Sequence, residues 1–212
     1  MFKKLGLTDN PTILFQGDSI TEVGRDYTRD DGIGTGYAMM VANWFSENST
    51  EKKVRFINRG VAADKIKDLK NRWQEDCLNL EPDIVSILIG INDIVGNHFW
   101  ESPTSTKNFE KDYRSILEQT NDVLGARIVL LTPFIVYMTK PQLVYKILLK
   151  QKIGVIKKLS KEFKTILVPL DRIFVEATSE REPTYWSADG IHPTEKGHTL
   201  IAKSWIESIV EV

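Results

Sequence analysis

The apolar positions of the chain fall into five short runs separated by stretches with helical spacing. The runs occupy residues 13–15, 54–57, 83–89, 127–131 and 165–170. Short apolar runs bounded by polar residues predict strands buried in a sheet that is covered on both faces. After Asp64, the residues Ile66, Leu69, Trp73, Cys77 and Leu80 recur every three or four positions, and Phe109, Tyr113, Ile116, Leu117, Thr120, Val123 and Leu124 do the same further on. Each pattern predicts a helix with one face on the sheet. A longer helix is expected over 141–163, with Leu143, Ile147, Leu148, Val155, Ile156 and Leu159 turned inward and Gly154 as a weak point. The last helix is expected to begin with Pro193 at its first position and to bury Leu200, Ile201, Trp205, Ile206 and Ile209.

Strands alternating with helices predict an α/β fold, a three-layer α/β/α sandwich around a five-stranded parallel sheet with right-handed crossovers. In the flavodoxin-like order 2-1-3-4-5, ligands bind beyond the carboxyl ends of the strands, where strands one and three flank the switch point. With 212 residues and 42% hydrophobic content, the expectation is a single domain over 1–212.

Charge narrows the choice of partner. The 28 Lys and Arg against 29 Asp and Glu leave a net charge of −1, which gives no broad field for nucleic acid or an anionic membrane. No run approaches the roughly 20 apolar residues of a membrane-spanning helix, so no membrane insertion is expected. The first eleven residues lack the apolar stretch and cleavage site of an export signal, and the expected location is cytoplasmic. The lone Cys77 lies on an apolar stripe and is expected to be an inert buried thiol.

The chemistry-bearing residues follow the predicted strand ends. Gly17-Asp18-Ser19 follows the first strand, Gly90-Ile91-Asn92-Asp93 the third, and Asp189-Gly190-Ile191-His192-Pro193 precedes the last helix. A serine hydroxyl becomes a nucleophile when a neutral imidazole takes its proton and donors receive the oxyanion. Asp189 stands three positions from His192, in reach to orient the ring. Each motif alone also reads as turn or cap chemistry: Gly-Asp-Ser and Asp-Gly form turns, His-Pro-Thr-Glu starts a helix, and Asn92 and Asp93 cap one. Their combination at strand ends, in this order, is what points to a serine hydrolase.

These blocks closely resemble the SGNH hydrolases, also called GDSL esterases. The first block matches Gly17-Asp18-Ser19-Ile20-Thr21, the third Gly90-Ile91-Asn92-Asp93 and the last Asp189-Gly190-Ile191-His192. The resemblance spans nearly the whole chain. It implies Ser19 as nucleophile, His192 as general base and Asp189 as its orienting carboxylate, with the Ser19 N–H and the Asn92 amide in the oxyanion hole. The mechanism it implies requires no cofactor, and no spacing in the sequence suggests a dedicated metal site. The second block departs from the family pattern Asn-x-Gly-x-Ser-Gly-Asn, reading Asn58-Arg59-Gly60-Val61-Ala62-Ala63-Asp64, so the third oxyanion donor falls on Ala63. An alanine N–H can donate, but a positive φ there would be strained.

Within the family, Phe15-Gln16-Gly17-Asp18-Ser19-Ile20-Thr21, Gly34-Thr35-Gly36-Tyr37 and Arg72-Trp73-Gln74-Glu75-Asp76 look most like intracellular bacterial carbohydrate esterases, including acetyl xylan esterases. That resemblance implies an acetylated sugar or oligosaccharide as substrate and, as in related enzymes, a homo-oligomer. Lysophospholipases, thioesterases and arylesterases belong to the same family, and a non-catalytic carbohydrate-binding protein is the rival from another class. Asp18, Trp100 and Trp186 are candidate substrate contacts, Tyr185 a further aromatic nearby. Both aromatic types equally suit core packing. The α/β-hydrolase alternative lacks its Gly-x-Ser-x-Gly elbow, since Thr21 stands four positions after Gly17, where the second glycine would be. Gly32-Ile33-Gly34-Thr35-Gly36 has no strand–turn–helix context and is expected to be a loop. His98 is expected on an exposed loop and His198 in packing or at the surface of the last helix.

Overall fold

The computed structural model describes residues 10–48, 53–95 and 102–210. Five parallel strands, β1 (Thr12–Gly17), β2 (Arg55–Asn58), β3 (Ile84–Leu88), β4 (Arg127–Leu131) and β5 (Ile166–Val168), form one sheet in the order β2-β1-β3-β4-β5. All five predicted strands are present, with shifted ends. β1 continues through Gln16 and Gly17 because these pair with Ile87 and Leu88 of β3. β5 stops at Val168, since Pro169 caps the next helix and Leu170 begins it.

The two-residue period of β1 sends Ile13 and Phe15 to one face and Leu14 to the other. On the first face, α2 (Tyr37–Asn48) and the last helix, α10 (Glu195–Val210), pack Tyr37, Val41, Phe45 and Trp205 around Phe15. The Trp205 indole donates to the Ser86 hydroxyl at 2.9 Å, which satisfies the polar end of a fully buried ring. Full burial of side chains of this size contributes about 2 to 3 kcal/mol each. The opposite face is covered by α3 (Ile66–Asn71), α4 (Trp73–Asp76), α6 (Thr106–Leu124) and α7 (Lys146–Phe163). Short helices α1 (Ser19–Glu22) and α5 (Asn92–Val95) follow β1 and β3, while α8 (Leu170–Glu180) and α9 (Pro183–Trp186) lead to the final loop.

Several helical expectations need correction. The stripe after Asp64 is buried at Ile66, Leu69, Trp73 and Cys77, but it lies on two helices and a 3-10 turn (Leu78–Leu80), with the breaks at Arg72 and Cys77. Val123, Leu143 and Ile147 point outward. Leu143 belongs to a 3-10 turn (Lys140–Tyr145) that precedes α7, so the helical register read back through it was false. Gly154 lies inside α7 without a break, and beyond the helix's own backbone nothing lies within 4 Å of where its side chain would be. Pro193 is not the first residue of α10. It bridges back to Ser187, and Thr194 closes the helix start by accepting the Gly197 N–H at 3.2 Å.

Candidate active site

The site forms where β1 and β3 end and the loop before α10 returns to them. At the end of β1, a side chain on Gly17 would sit 2.4 Å from the Leu88 carbonyl, so only glycine permits this close turn. Asp18 then caps α1. Its side chain accepts the Ile20 N–H at 3.1 Å, and its carbonyl takes the N–H groups of Thr21 and Glu22 at 3.0 and 2.9 Å. The Ser19 N–H is left as the first-turn donor with no partner among the described residues, beside its own hydroxyl. Asp18, expected as a substrate contact, is instead buried beneath this turn. Burial pushes its carboxyl up to about 7, against the pull of the Ile20 N–H and of His192.

The last loop is held from several sides. The Gln142 amide donates to the Asp189 carbonyl at 2.7 Å while its oxygen accepts the N–H groups of Met138 and Thr139 at 2.7 and 3.0 Å. Gly190 has a φ of 95°, and a side chain there would collide with Gln142. The Ser187 hydroxyl donates to the His192 carbonyl at 2.8 Å and accepts the Gly190 N–H at 2.9 Å. Asp189 Oδ1 accepts the N–H groups of Ile191 and His192 at 2.8 and 2.7 Å, which fixes the carboxylate.

This scaffold brings the two ends of the chain together. His192 Nδ1 lies 2.7 Å from Asp189 Oδ2, and His192 Nε2 lies 3.1 Å from the Ser19 hydroxyl, 173 positions away in sequence. Partial burial raises the Asp189 carboxyl, but bonds from the His192 ring and from two main-chain N–H groups outweigh it and hold it below the usual carboxylate range. An ionised Asp189 requires the proton on Nδ1, which leaves the Nε2 lone pair facing Ser19. Each side chain of the Asp-His pair is about half exposed, at 53% and 52%. An ester can therefore approach without a large rearrangement.

A third segment completes the rim. The Val61 N–H donates to the Gly17 carbonyl at 3.0 Å, tying the loop after β2 to the turn that carries Ser19. Asn58 fastens it further, donating to the carbonyls of Thr21 and Ile33 and accepting the Gly60 N–H. Ala63 has a φ of 68°, the left-handed conformation for which glycine is suited. That conformation costs an alanine about 1 to 2 kcal/mol. The next residue receives Asn92, whose side-chain nitrogen donates to the Asp64 carbonyl at 3.0 Å. Asp64 is gripped by Arg72 at 2.9 Å, and Arg72 also reaches Gln16 and Asp76. Asp93 is fully buried and accepts the Ile66 N–H at 3.0 Å, anchoring α3 rather than facing a ligand.

The expected aromatic wall takes a different form. The Trp186 indole donates to the Ala177 carbonyl at 3.1 Å and ties α9 to α8, so it braces the loop from behind. Tyr185 packs edge-on against Trp186. Trp100 and His98 lie outside the described residues. His198 is buried, accepts the Tyr37 N–H at 3.2 Å and is pushed by burial down to about 4. Burial likewise pushes the Cys77 thiol up to about 12, which fits an inert core position. The parts played by Gln142 in the last loop and by Arg72 at Asp64 carry no signal in the sequence. Their positions depend on loop paths that periodicity does not report.

A switch-point crevice in a parallel sheet, with a serine, an imidazole and a carboxylate in line, defines a hydrolase of the serine type. The sequence pattern of the GDSL-like lipase/acylhydrolase family matches residues 15–200, and the chain belongs to that family. Acetylxylan esterase from Geobacillus stearothermophilus is 30% identical over 205 residues, covering 93% of each chain. Its crystal structure superposes with a TM-score of 0.88 at 29% identity, covering 96% of this chain and 95% of that one. A Parabacteroides merdae protein assigned as a GDSL-like lipase gives a TM-score of 0.90 at 34% identity, covering 95% and 96%. Other similar structures are catalytic mutants of the Geobacillus enzyme in which an aspartate, a serine or a histidine is replaced by alanine. The fold is thus the SGNH sandwich, and the protein is a carboxylic ester hydrolase that uses a serine.

Proposed function

We propose that the chain removes acetyl groups from carbohydrates, with Ser19 as nucleophile, His192 as general base and Asp189 as its orienting carboxylate. In this reading the Ser19 oxygen attacks the ester carbonyl as His192 Nε2 takes its proton. The oxyanion is received by the Ser19 and Ala63 N–H groups and the Asn92 side-chain amide. His192 then passes the proton to the departing sugar hydroxyl. A water, deprotonated by the same imidazole, attacks the acetyl-serine and releases acetate.

The observation that carries the chemistry is the unbroken line from Ser19 through His192 to Asp189, at 3.1 and 2.7 Å. The sugar assignment is supported by the similarity to acetylxylan esterase over nearly the whole chain. A rate panel of acetylated xylo-oligosaccharides, other sugar acetates and esters of longer acids tests it. A steep fall in kcat/KM beyond acetyl and a preference for sugar acetates are expected. Preference for long acyl chains would contradict it and favour a lipid ester.

A further inference from the structure

The loop after α1 carries an aromatic ring that no step of the acyl transfer uses. Tyr27 is 54% exposed although it belongs to a well-anchored segment. The Arg25 guanidinium sits 4.2 Å from its ring centroid and covers one face. Arg25 is itself fixed, donating to the Gly60 carbonyl at 2.7 Å, three residues before the proposed oxyanion donor Ala63. Partial burial, and after it the nearby Glu22 carboxylate, raise the Tyr27 phenol above its usual range. Glu22 lies one helical turn after Ser19 in α1, and its backbone is close enough to Gly60 that a side chain on that glycine would meet the Glu22 N at 2.5 Å.

Through Arg25, Tyr27 is therefore tied to the loop after β2, and that loop in turn packs against Glu22 at the end of the Ser19 turn. A ring with one face covered by a guanidinium and the remainder open to solvent is a flat apolar platform with charged groups at its edge. A pyranose ring offers the complementary chemistry, with axial C–H groups for the aromatic face and hydroxyls for the Glu22 and Arg25 side chains. We infer that Tyr27, backed by Arg25 and edged by Glu22, forms a sugar-binding subsite that holds the pyranose ring of the leaving alcohol beside the acyl-transfer centre. The inference rests on the carbohydrate reading proposed above and adds to it a specific site.

The test compares kcat/KM for acetylated xylobiose with that for ethyl acetate, which has no ring to stack, in the wild type, Tyr27→Ala and Tyr27→Phe. Loss of the platform is expected to lower the xylobiose-to-ethyl acetate ratio about 10-fold in Tyr27→Ala, chiefly through KM for the sugar ester. Tyr27→Phe keeps the ring and should keep the ratio within about 2-fold of wild type. An unchanged ratio in Tyr27→Ala, with the wild type active on the sugar ester, overturns the subsite alone. A ratio lost equally in Tyr27→Phe overturns the stacking role. A wild type that hydrolyses ethyl acetate but not the sugar ester overturns the carbohydrate reading and the subsite with it.

Discussion

The Asn92 side-chain amide donates to the main-chain oxygen of Asp64 over 3.0 Å, so the aim of one proposed oxyanion donor depends on where Asp64 sits. Arg72 fixes that residue through its carboxylate and, through Gln16 and Asp76, ties it to the end of β1 and to α4. Arg72→Ala would remove the anchor and leave Asp64 partly buried without its counter-charge. Kinetics on a small acetyl ester should show kcat reduced about 10- to 100-fold, below the full cost of losing one oxyanion donor. An unchanged kcat would show that Asn92 is held by other means.

Asp189 is tied to its loop by four hydrogen bonds, three through its carboxylate and one from Gln142 to its carbonyl. Asp189→Asn retains the shape but replaces an ionised acceptor by an amide, and the imidazole loses the partner that sets its tautomer. A fall of about 1000- to 10,000-fold in kcat is expected, with the circular-dichroism spectrum preserved. Near-normal turnover would remove Asp189 from the proposed triad.

Ala63 holds a φ of 68° where a glycine would be unstrained. Ala63→Gly should raise stability by about 1 kcal/mol, less the extra freedom glycine has in the unfolded chain. Thermal unfolding measures this. Esterase activity should be equal or higher, because the same N–H remains in place. Loss of both stability and activity would mean that the methyl group has a packing role outweighing the strain.

Asp18 gives a pH dependence whose sign is set by burial. Its folded value of about 7 lies above the ordinary 3.8, so the folded state binds this proton more tightly. The resulting stabilisation is present at acid pH and declines as pH rises between those values. Asp18→Asn keeps an oxygen to accept the Ile20 N–H and removes the buried charge. Its melting temperature should exceed the wild type's at pH 8 and converge on it near pH 4. The absence of any pH-dependent difference would show that the Asp18 carboxylate is solvated.

The central strands were legible in the sequence because they are buried on both faces of the sheet, which leaves apolar stretches such as Ile84–Leu88. The meeting of Ser19, His192 and Asp189 was legible because all three stand in compact motifs beside strand or helix ends. Helix interiors were less so. Leu143 and Ile147 have apolar spacing yet face outward, because the chain enters α7 through a 3-10 turn and changes phase there. Trp186 was placed at the site by its nearness in sequence to Asp189, but its indole turns to Ala177 on α8. Gln142 left no signal at all: it lies 47 positions before Asp189, and only the fold brings its amide to that carbonyl.

The most direct test of the central claim is active-site labelling. Treatment with an organophosphonate, followed by peptide mass mapping, should place one adduct on Ser19, with esterase activity lost in proportion to labelling. Ser19→Ala should take up no label and have no turnover of the small acetyl ester. An adduct on another residue that accompanies the loss of activity, or full activity in Ser19→Ala, would contradict the account.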